Sequence, residues 1–238
     1  MDVYWLEQTE ADVPAENQWL SAGEMLCLAG LRFAKRRTDW RLGRWTAKRA
    51  LAAHLNLPAD LSALANIEIQ AATSGAPEVY LLNQPASVTI SLSHRAGAAM
   101  CTVARAEASL GCDLEMVEPR SDAFVADYFT ANEQALVSQE LAEKRPLLIT
   151  LFWSAKESAL KALRHGLRLD TRCMDVSPVD STARHACDGR QNPYPVSLLA
   201  PVSDGWRPLR VRYQGDRVFR GWWRSTDHMV RTVVYDLR

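Results

Sequence analysis

The sequence predicts an α+β protein. Two stretches carry helical periodicity, residues 35–55 and 146–163, and apolar β-prone runs gather at 87–117 and 209–237. With 238 residues, 47% of them hydrophobic, the chain can bury a sizeable core, as one large domain or two of roughly 110 residues each. Gly and Pro number 11 each, too few for a collagen-like or low-complexity chain.

Residues 2–6 (DVYWL) read as a short strand and 14–31 as helical. The helix over 35–55 stops before Asn56-Leu57-Pro58 and places Trp40, Gly43, Ala47, Ala50, Leu51 and His54 on one face. Arg37, Arg41, Arg44 and Lys48 form a stripe beside it, by periodicity alone a solvated basic edge. A turn at Thr73-Ser74-Gly75-Ala76-Pro77 precedes strands over 87–92 and 98–104. Arg105-Ala106-Glu107 then reads as a hairpin connection into a strand over 109–117. In that strand Leu110, Cys112, Leu114 and Met116 point one way, and Gly111, Asp113 and Glu115 the other. Asp113 and Glu115 therefore share a face, about 7 Å apart along the strand.

Thr130-Ala131-Asn132-Glu133 has capping-box spacing and opens a helix. Pro146 opens another, which runs to about Leu163 and ends near Gly166. Its apolar side holds Leu148, Phe152, Ala155, Ala159, Ala162 and Leu163, with Glu157 and Lys161 on the polar stripe opposite. Lys156 is anomalous, because it sits among the apolar positions. Residues 180–204 are polar and Pro-containing and read as loop, followed by strands over 209–213, 218–224 and 229–237.

Composition excludes several classes. No apolar stretch approaches the roughly 18 residues of a membrane span. The acidic start lacks the basic-then-apolar order of a signal peptide. Five scattered cysteines give neither a disulfide framework nor a zinc spacing, so a cytoplasmic location is expected. Basic and acidic residues balance at 28 each but are segregated. Residues 32–49 hold eight basic residues and one acid, and 107–143 hold nine acids and one basic residue. That pattern argues against a uniformly basic nucleic-acid surface, and suits a basic wall facing an anion beside a carboxylate cluster holding a cation.

Taken singly, the charged residues have ordinary explanations. Asp113 and Glu115 fit the solvent face of a half-buried strand, Glu157 and Lys161 fit an i,i+4 helix pair, and His94 fits a hydrogen-bonded loop histidine. Together, two carboxylates from a strand and one from a helix can offer oxygen ligands to Mg²⁺, with Lys161 one turn on reaching a phosphate. A Mg²⁺-dependent phosphoryl-type transfer is the chemistry this combination suggests.

Gly111-Cys112-Asp113-Leu114-Glu115, followed about 40 residues later by Trp153-Ser154-Ala155-Lys156-Glu157-Ser158-Ala159-Leu160-Lys161, resembles the 4′-phosphopantetheinyl transferase superfamily. Ser91-Leu92-Ser93-His94 and the run RRTDWRLGRWTAK at 36–48 resemble its Sfp-type, single-chain branch. The resemblance spans about 35–166 with the motifs in order. It implies two similar halves related by a pseudo-twofold, 1–108 and 109–238, with the active site in the cleft between them. It also implies transfer of 4′-phosphopantetheine from coenzyme A to a serine of an apo carrier protein (acyl, polyketide or peptidyl), releasing adenosine 3′,5′-bisphosphate.

By the same resemblance Asp113, Glu115 and Glu157 hold Mg²⁺, with Mn²⁺ as a possible substitute. Glu157 is the expected general base, with Lys161 and Asp113 completing the catalytic set. Arg44, Lys48, Ser93, His94, Lys156 and Lys161 are expected to bind the coenzyme. The family often has Gly-Lys-Pro where this chain has Gly75-Ala76-Pro77, so Arg37 or Arg41 is expected to supply the missing charge. A monomer is expected, with no nucleic-acid or membrane partner, and residues 116–129 around Phe124 are a candidate carrier-docking patch. The competing readings are a metal-dependent phosphodiesterase or nuclease, and a non-catalytic coenzyme- or carrier-binding module.

Overall fold

A computed structural model describes residues 3–164, 169–178, 205–214, 217–226 and 228–237. The loop expected over 180–204 and the helix end expected near Gly166 lie outside the described residues. The class is α+β, as the patterning predicts.

The first half of the chain runs β1 (Tyr4–Thr9), α1 (Ala22–Gly30), α2 (Ala34–His54), α3 (Leu61–Ala65), β2 (Ile67–Ala71), β3 (Pro77–Leu81), β4 (Gln84–Pro85), β5 (Val88–Arg95) and β6 (Ala98–Arg105). Three of these strands form an antiparallel sheet in the order β1-β6-β5. The β5–β6 hairpin closes through Ala96-Gly97, both at positive φ (50° and 77°), the twist that a two-residue hairpin loop requires. A small separate sheet, β2-β3-β4, was not predicted.

Packed on β1 and β6, α2 buries Ala47, Ala50 and Leu51 in a core shared with Trp19, Trp45 and Val103. The predicted face is correct but too narrow, since Leu42, Trp45 and Lys48 are buried as well. The basic stripe is thus solvated at Arg37 and submerged at Lys48.

The rest comprises β7 (Ala108–Met116), α4 (Asp122–Tyr128), α5 (Ala131–Gln139), α6 (Arg145–Leu163), β8 (Met174–Pro178), β9 (Arg207–Tyr213), β10 (Arg217–Thr226) and β11 (Met229–Leu237). Its sheet has the order β7-β11-β10-β9-β8, all antiparallel. Phe152, Ala155 and Ala159 of α6 pack on Val211, Phe219, Val230 and Val234 of that sheet.

The connectivity repeats. In each half a long helix, α2 or α6, covers a sheet whose first strand pairs with its last (β1 with β6, β7 with β11) and whose last strand also pairs with the one before it.

One local expectation is wrong. Arg105-Ala106-Glu107 does not make a hairpin, because β7 pairs with β11 and not with β6. The physical reason is that β6 already has β1 and β5 on its two edges, leaving no hydrogen-bonding edge for a third partner. The turn instead passes the chain from one sheet to the other. A core of Met100, Ala104, Leu110, Cys112, Val233 and Tyr235 joins the sheets. Arg231 and Glu7 clamp them with two bonds of 2.6 Å.

Candidate active site

The strand β7 and the helix α6 approach each other closely along a seam. A Cβ on Gly111 would stand 1.8 Å from the carbonyl oxygen of Ser158, so only glycine lets the helix lie this near the strand. Ser154 and Ser158 bond Thr232 of β11 through their hydroxyls at 2.8 and 2.7 Å, fixing α6 to the sheet. Because Gly111 faces α6, alternation along β7 turns Asp113 and Glu115 to the same side, and α6 brings Glu157 and Lys161 to them.

Asp113 is almost fully buried. Its Oδ1 accepts from Lys161 Nζ at 2.8 Å and from Ser93 Oγ at 2.9 Å, and Lys161 also donates to the Cys112 carbonyl at 2.9 Å. Lys161 therefore pairs with Asp113 across the seam and not with Glu157 along the helix. Burial alone would lower the Lys161 pKa, but Asp113, with smaller effects from Cys112 and Glu157, outweighs it and the net shift is upward.

Burial, then the charge of Asp113, raises Glu115, with Arg95 Nε 3.6 Å away opposing the shift. The same two causes push Glu157 up to about 7, against the attraction of Lys161. The three acids thus feel one another as like charges in a poorly solvated place.

Each of the three also holds a buried oxygen with no hydrogen-bond partner: Asp113 Oδ2, Glu115 Oε2 and Glu157 Oε1. Unsatisfied buried acceptors are rare and mark a missing donor or cation. Among the described residues no group of three or more His, Cys, Asp or Glu is arranged to hold a metal ion. The donor set is nevertheless all oxygen, the chemistry a hard divalent cation takes.

Beside the seam lies a cleft of about 330 Å³, bordered by Arg44 from one half and by Lys161 and Arg164 from the other. Gly75, Ala76 and Pro77 also line it, and no acid does. A larger depression of about 510 Å³ along β1, with Glu7, Asp12 and Arg224 on its walls, contains none of the predicted site residues.

The predicted coenzyme residues divide. Lys161 and Arg44 reach the cleft; Arg44 stacks 4.9 Å from the Trp40 ring with its Nε 3.5 Å from Glu24. Ser93 instead bonds Asp113, and His94 is exposed and absent from the cleft lining. Lys48 and Lys156 are fully buried and paired with Glu24 and Glu133 at 2.5 and 2.7 Å. Neither offers a free ammonium to a ligand, so the expectation that they contact the coenzyme is corrected by their burial.

Neither Arg37 nor Arg41, the residues expected to supply charge beside Ala76, lines the cleft. Arg41 is held by the carbonyls of Pro14 and Ala15, and Arg37 is exposed outside the cleft. A cation that lines the cleft together with Ala76 and that sequence reasoning missed is Arg164, the left-handed cap of α6 (φ 58°), whose Nη2 bonds Thr89 Oγ1 at 3.2 Å. Its spacing, three residues beyond Lys161, was the available signal. In the candidate docking patch Phe124 packs with Tyr128, Phe129 and Trp153 at 4.8–6.0 Å, which is core packing, while Tyr128 keeps 39% of its surface exposed.

Among the described residues no helix is long and apolar enough to cross a membrane. No curated protein matches the chain. A solved structure, Helicobacter pylori holo-(acyl-carrier-protein) synthase in complex with coenzyme A, matches at 19% identity with a TM-score of 0.34, covering 43% of this chain and 98% of that one. The family model of the 4′-phosphopantetheinyl transferase superfamily matches residues 109–200. That segment contains Asp113, Glu115, Glu157 and Lys161, so the part of the chain that carries the site is similar to the 4′-phosphopantetheinyl transferase superfamily.

Proposed function

We propose that the protein transfers 4′-phosphopantetheine from coenzyme A to a serine hydroxyl of an apo carrier protein and releases adenosine 3′,5′-bisphosphate. One observation carries this reading: a cleft lined by cations from both halves opens beside one buried and two half-buried carboxylates that share one electrostatic environment. Both walls of the cleft come from one chain, which supports a monomer of the single-chain branch with its division near residue 108.

The carboxylate oxygens of Asp113, Glu115 and Glu157 would hold Mg²⁺, or Mn²⁺ in its place, and the ion would supply Lewis-acid polarisation of the pyrophosphate. The chain's own residues do the rest. Arg44, Lys161 and Arg164 neutralise the phosphates of the coenzyme, with Arg164 standing where Ala76 leaves a charge out. Glu157, with its pKa near 7, takes the proton of the attacking serine hydroxyl. The serine oxygen bonds to the β-phosphorus as the bond to the bridging oxygen of the leaving nucleotide breaks. Lys161 compensates the charge that develops on that oxygen. Ser93 orients Asp113.

The test is incubation with coenzyme A, Mg²⁺ and a panel of apo carriers from fatty-acid, polyketide and peptide synthesis, read by intact-protein mass. A phosphopantetheine adduct on at least one carrier is expected. No adduct with any carrier or divalent metal, or cleavage of nucleic acid by the same carboxylates, would overturn the reading.

A further inference from the structure

The two halves share a buried ion pair as well as a connectivity. In the first, Ser21 and Glu24 cap α1 reciprocally, each side chain accepting from the other's main-chain N–H at 3.1 Å. Glu24 Oε1 also accepts from Ile69 N of β2 at 3.2 Å, and Oε2 lies 2.5 Å from Lys48 Nζ on α2. In the second half Thr130 and Glu133 cap α5 in the same way, at 2.8 and 3.3 Å. Glu133 Oε1 accepts from Val176 N of β8 at 2.9 Å, and Oε2 lies 2.7 Å from Lys156 Nζ on α6.

Main-chain carbonyls surround each ammonium as well: Trp19 and Leu64 lie within hydrogen-bond distance of Lys48, and Tyr128, Thr171 and Met174 share the donors of Lys156. An aromatic ring faces each ammonium, Trp19 at 5.8 Å and Phe129 at 5.5 Å. The same short helix, cap, following strand and long helix are tied together twice.

A lysine held this way cannot turn without breaking bonds to several chain segments, so it fixes the rotation of the helix that carries it. Next to Lys156 on α6 stands Glu157, and one turn before Lys48 on α2 stands Arg44. Glu24 also lies 3.5 Å from Arg44 Nε, so in the first half the buried carboxylate touches the cleft cation directly. We propose that Lys48 and Lys156 are positioning residues, whose buried pairing with Glu24 and Glu133 sets the rotation of α2 and α6 and so aims Arg44 at the cleft and Glu157 at the carboxylate cluster. This rests on the transferase reading above.

Calorimetric titration with coenzyme A alone and with Mn²⁺ alone, beside steady-state transfer, tests it on α6. The proteins are wild type, Lys156→Met, Glu133→Gln and the double variant Glu133→Met/Lys156→Met. All three variants are expected to keep coenzyme affinity within about twofold. They are expected to lose at least fivefold in Mn²⁺ affinity and tenfold in kcat, with KM for the coenzyme unchanged.

Should either single variant not fold, the double variant decides, because replacing both members of a buried pair by apolar side chains is often tolerated. A folded double variant with wild-type Mn²⁺ affinity and kcat would overturn the proposal. So would a tenfold loss of coenzyme affinity in Lys156→Met that Glu133→Gln does not share, which is the mark of direct ligand contact. Wild-type protein that binds neither coenzyme A nor Mn²⁺ would overturn the transferase reading instead, and the positioning role with it.

Discussion

Replacing Gly111 by alanine should disable the protein through a single added carbon. The new Cβ would sit 1.8 Å from the Ser158 carbonyl oxygen, 2.7 Å from its carbon and 2.9 Å from Ala162 N, all main-chain atoms of α6. Ordinary contact needs roughly 3.5 Å, so the helix must retreat by about 1.5 Å or the strand must bend. Overpacking of this kind costs about 1–3 kcal/mol, and for a chain of this length lowers Tm on the order of 5–10 °C. The helix carries Glu157 and Lys161, and a misplacement of about 1 Å at a reacting group costs on the order of 100-fold in rate. Calorimetric melting and the carrier-transfer assay should therefore both fall for Gly111→Ala. Adding Ser158→Ala should restore neither, since the clash is with the main chain. Gly43→Ala on α2, where nothing lies within 4 Å of the added carbon, should leave Tm unchanged or slightly raised. A Gly111→Ala protein with wild-type Tm and transfer rate would show that the β7–α6 approach is not what positions the site.

Four further outcomes follow from the structure. Glu157→Gln should lower kcat by about 10²–10⁴-fold with folding retained, measured by transfer rate and circular dichroism. The folded state raises this carboxyl from 4.5 to about 7, so without metal its ionisation opposes folding increasingly as pH rises across that window. A urea-unfolding series from pH 4.5 to 7 should show that fall in wild type and a flatter dependence in Glu157→Gln. Arg164→Ala should raise KM for coenzyme A about tenfold with Tm unchanged, because the side chain is exposed and faces the cleft. Glu7→Ala should cost about 3–5 kcal/mol by leaving the buried Arg231 guanidinium without its carboxylate, read as a shift of urea midpoint.

Long periodic elements were legible because one buried face per element leaves a readable pattern. That holds for α2 and α6, for β5 to β7 and for β9 to β11. The small β2-β3-β4 sheet was not, since its strands are five residues or fewer and no pattern of that length stands out. The 105–107 turn has hairpin chemistry, but turn chemistry cannot tell which edge of a strand is already occupied. Asp113 and Glu115 on one strand face, with Glu157 and Lys161 on the helix, were legible from alternation and spacing. Lys156 was visible as a charge among apolar positions, but its partner Glu133 lies 23 residues away and was read only as a cap. Lys48 looked like part of a solvated stripe because periodicity reports a helix face and not how deeply each end of it is covered.

The carboxylate cluster is a local deficit that the rest of the seam must offset. Glu115 and Glu157 are desolvated and repelled by Asp113, and each of the three has an oxygen that accepts no hydrogen bond. An unmet buried acceptor costs on the order of 1–3 kcal/mol. Against this stand Lys161 on Asp113 and the Ser154–Ser158–Thr232 hydroxyl network. A divalent cation that binds only the folded protein should reverse the sign of the cluster's contribution. At a concentration 100-fold above Kd it adds about 2.7 kcal/mol, or on the order of 5–10 °C in Tm. Without metal, Glu157→Gln should melt above wild type because one repelled carboxylate is gone; in saturating Mg²⁺ the order should invert. Melting curves in chelator and in a Mg²⁺ series settle the matter. Identical wild-type Tm values across that series would mean that the three acids do not share an ion, and the assignment of their oxygens as its ligands would fall.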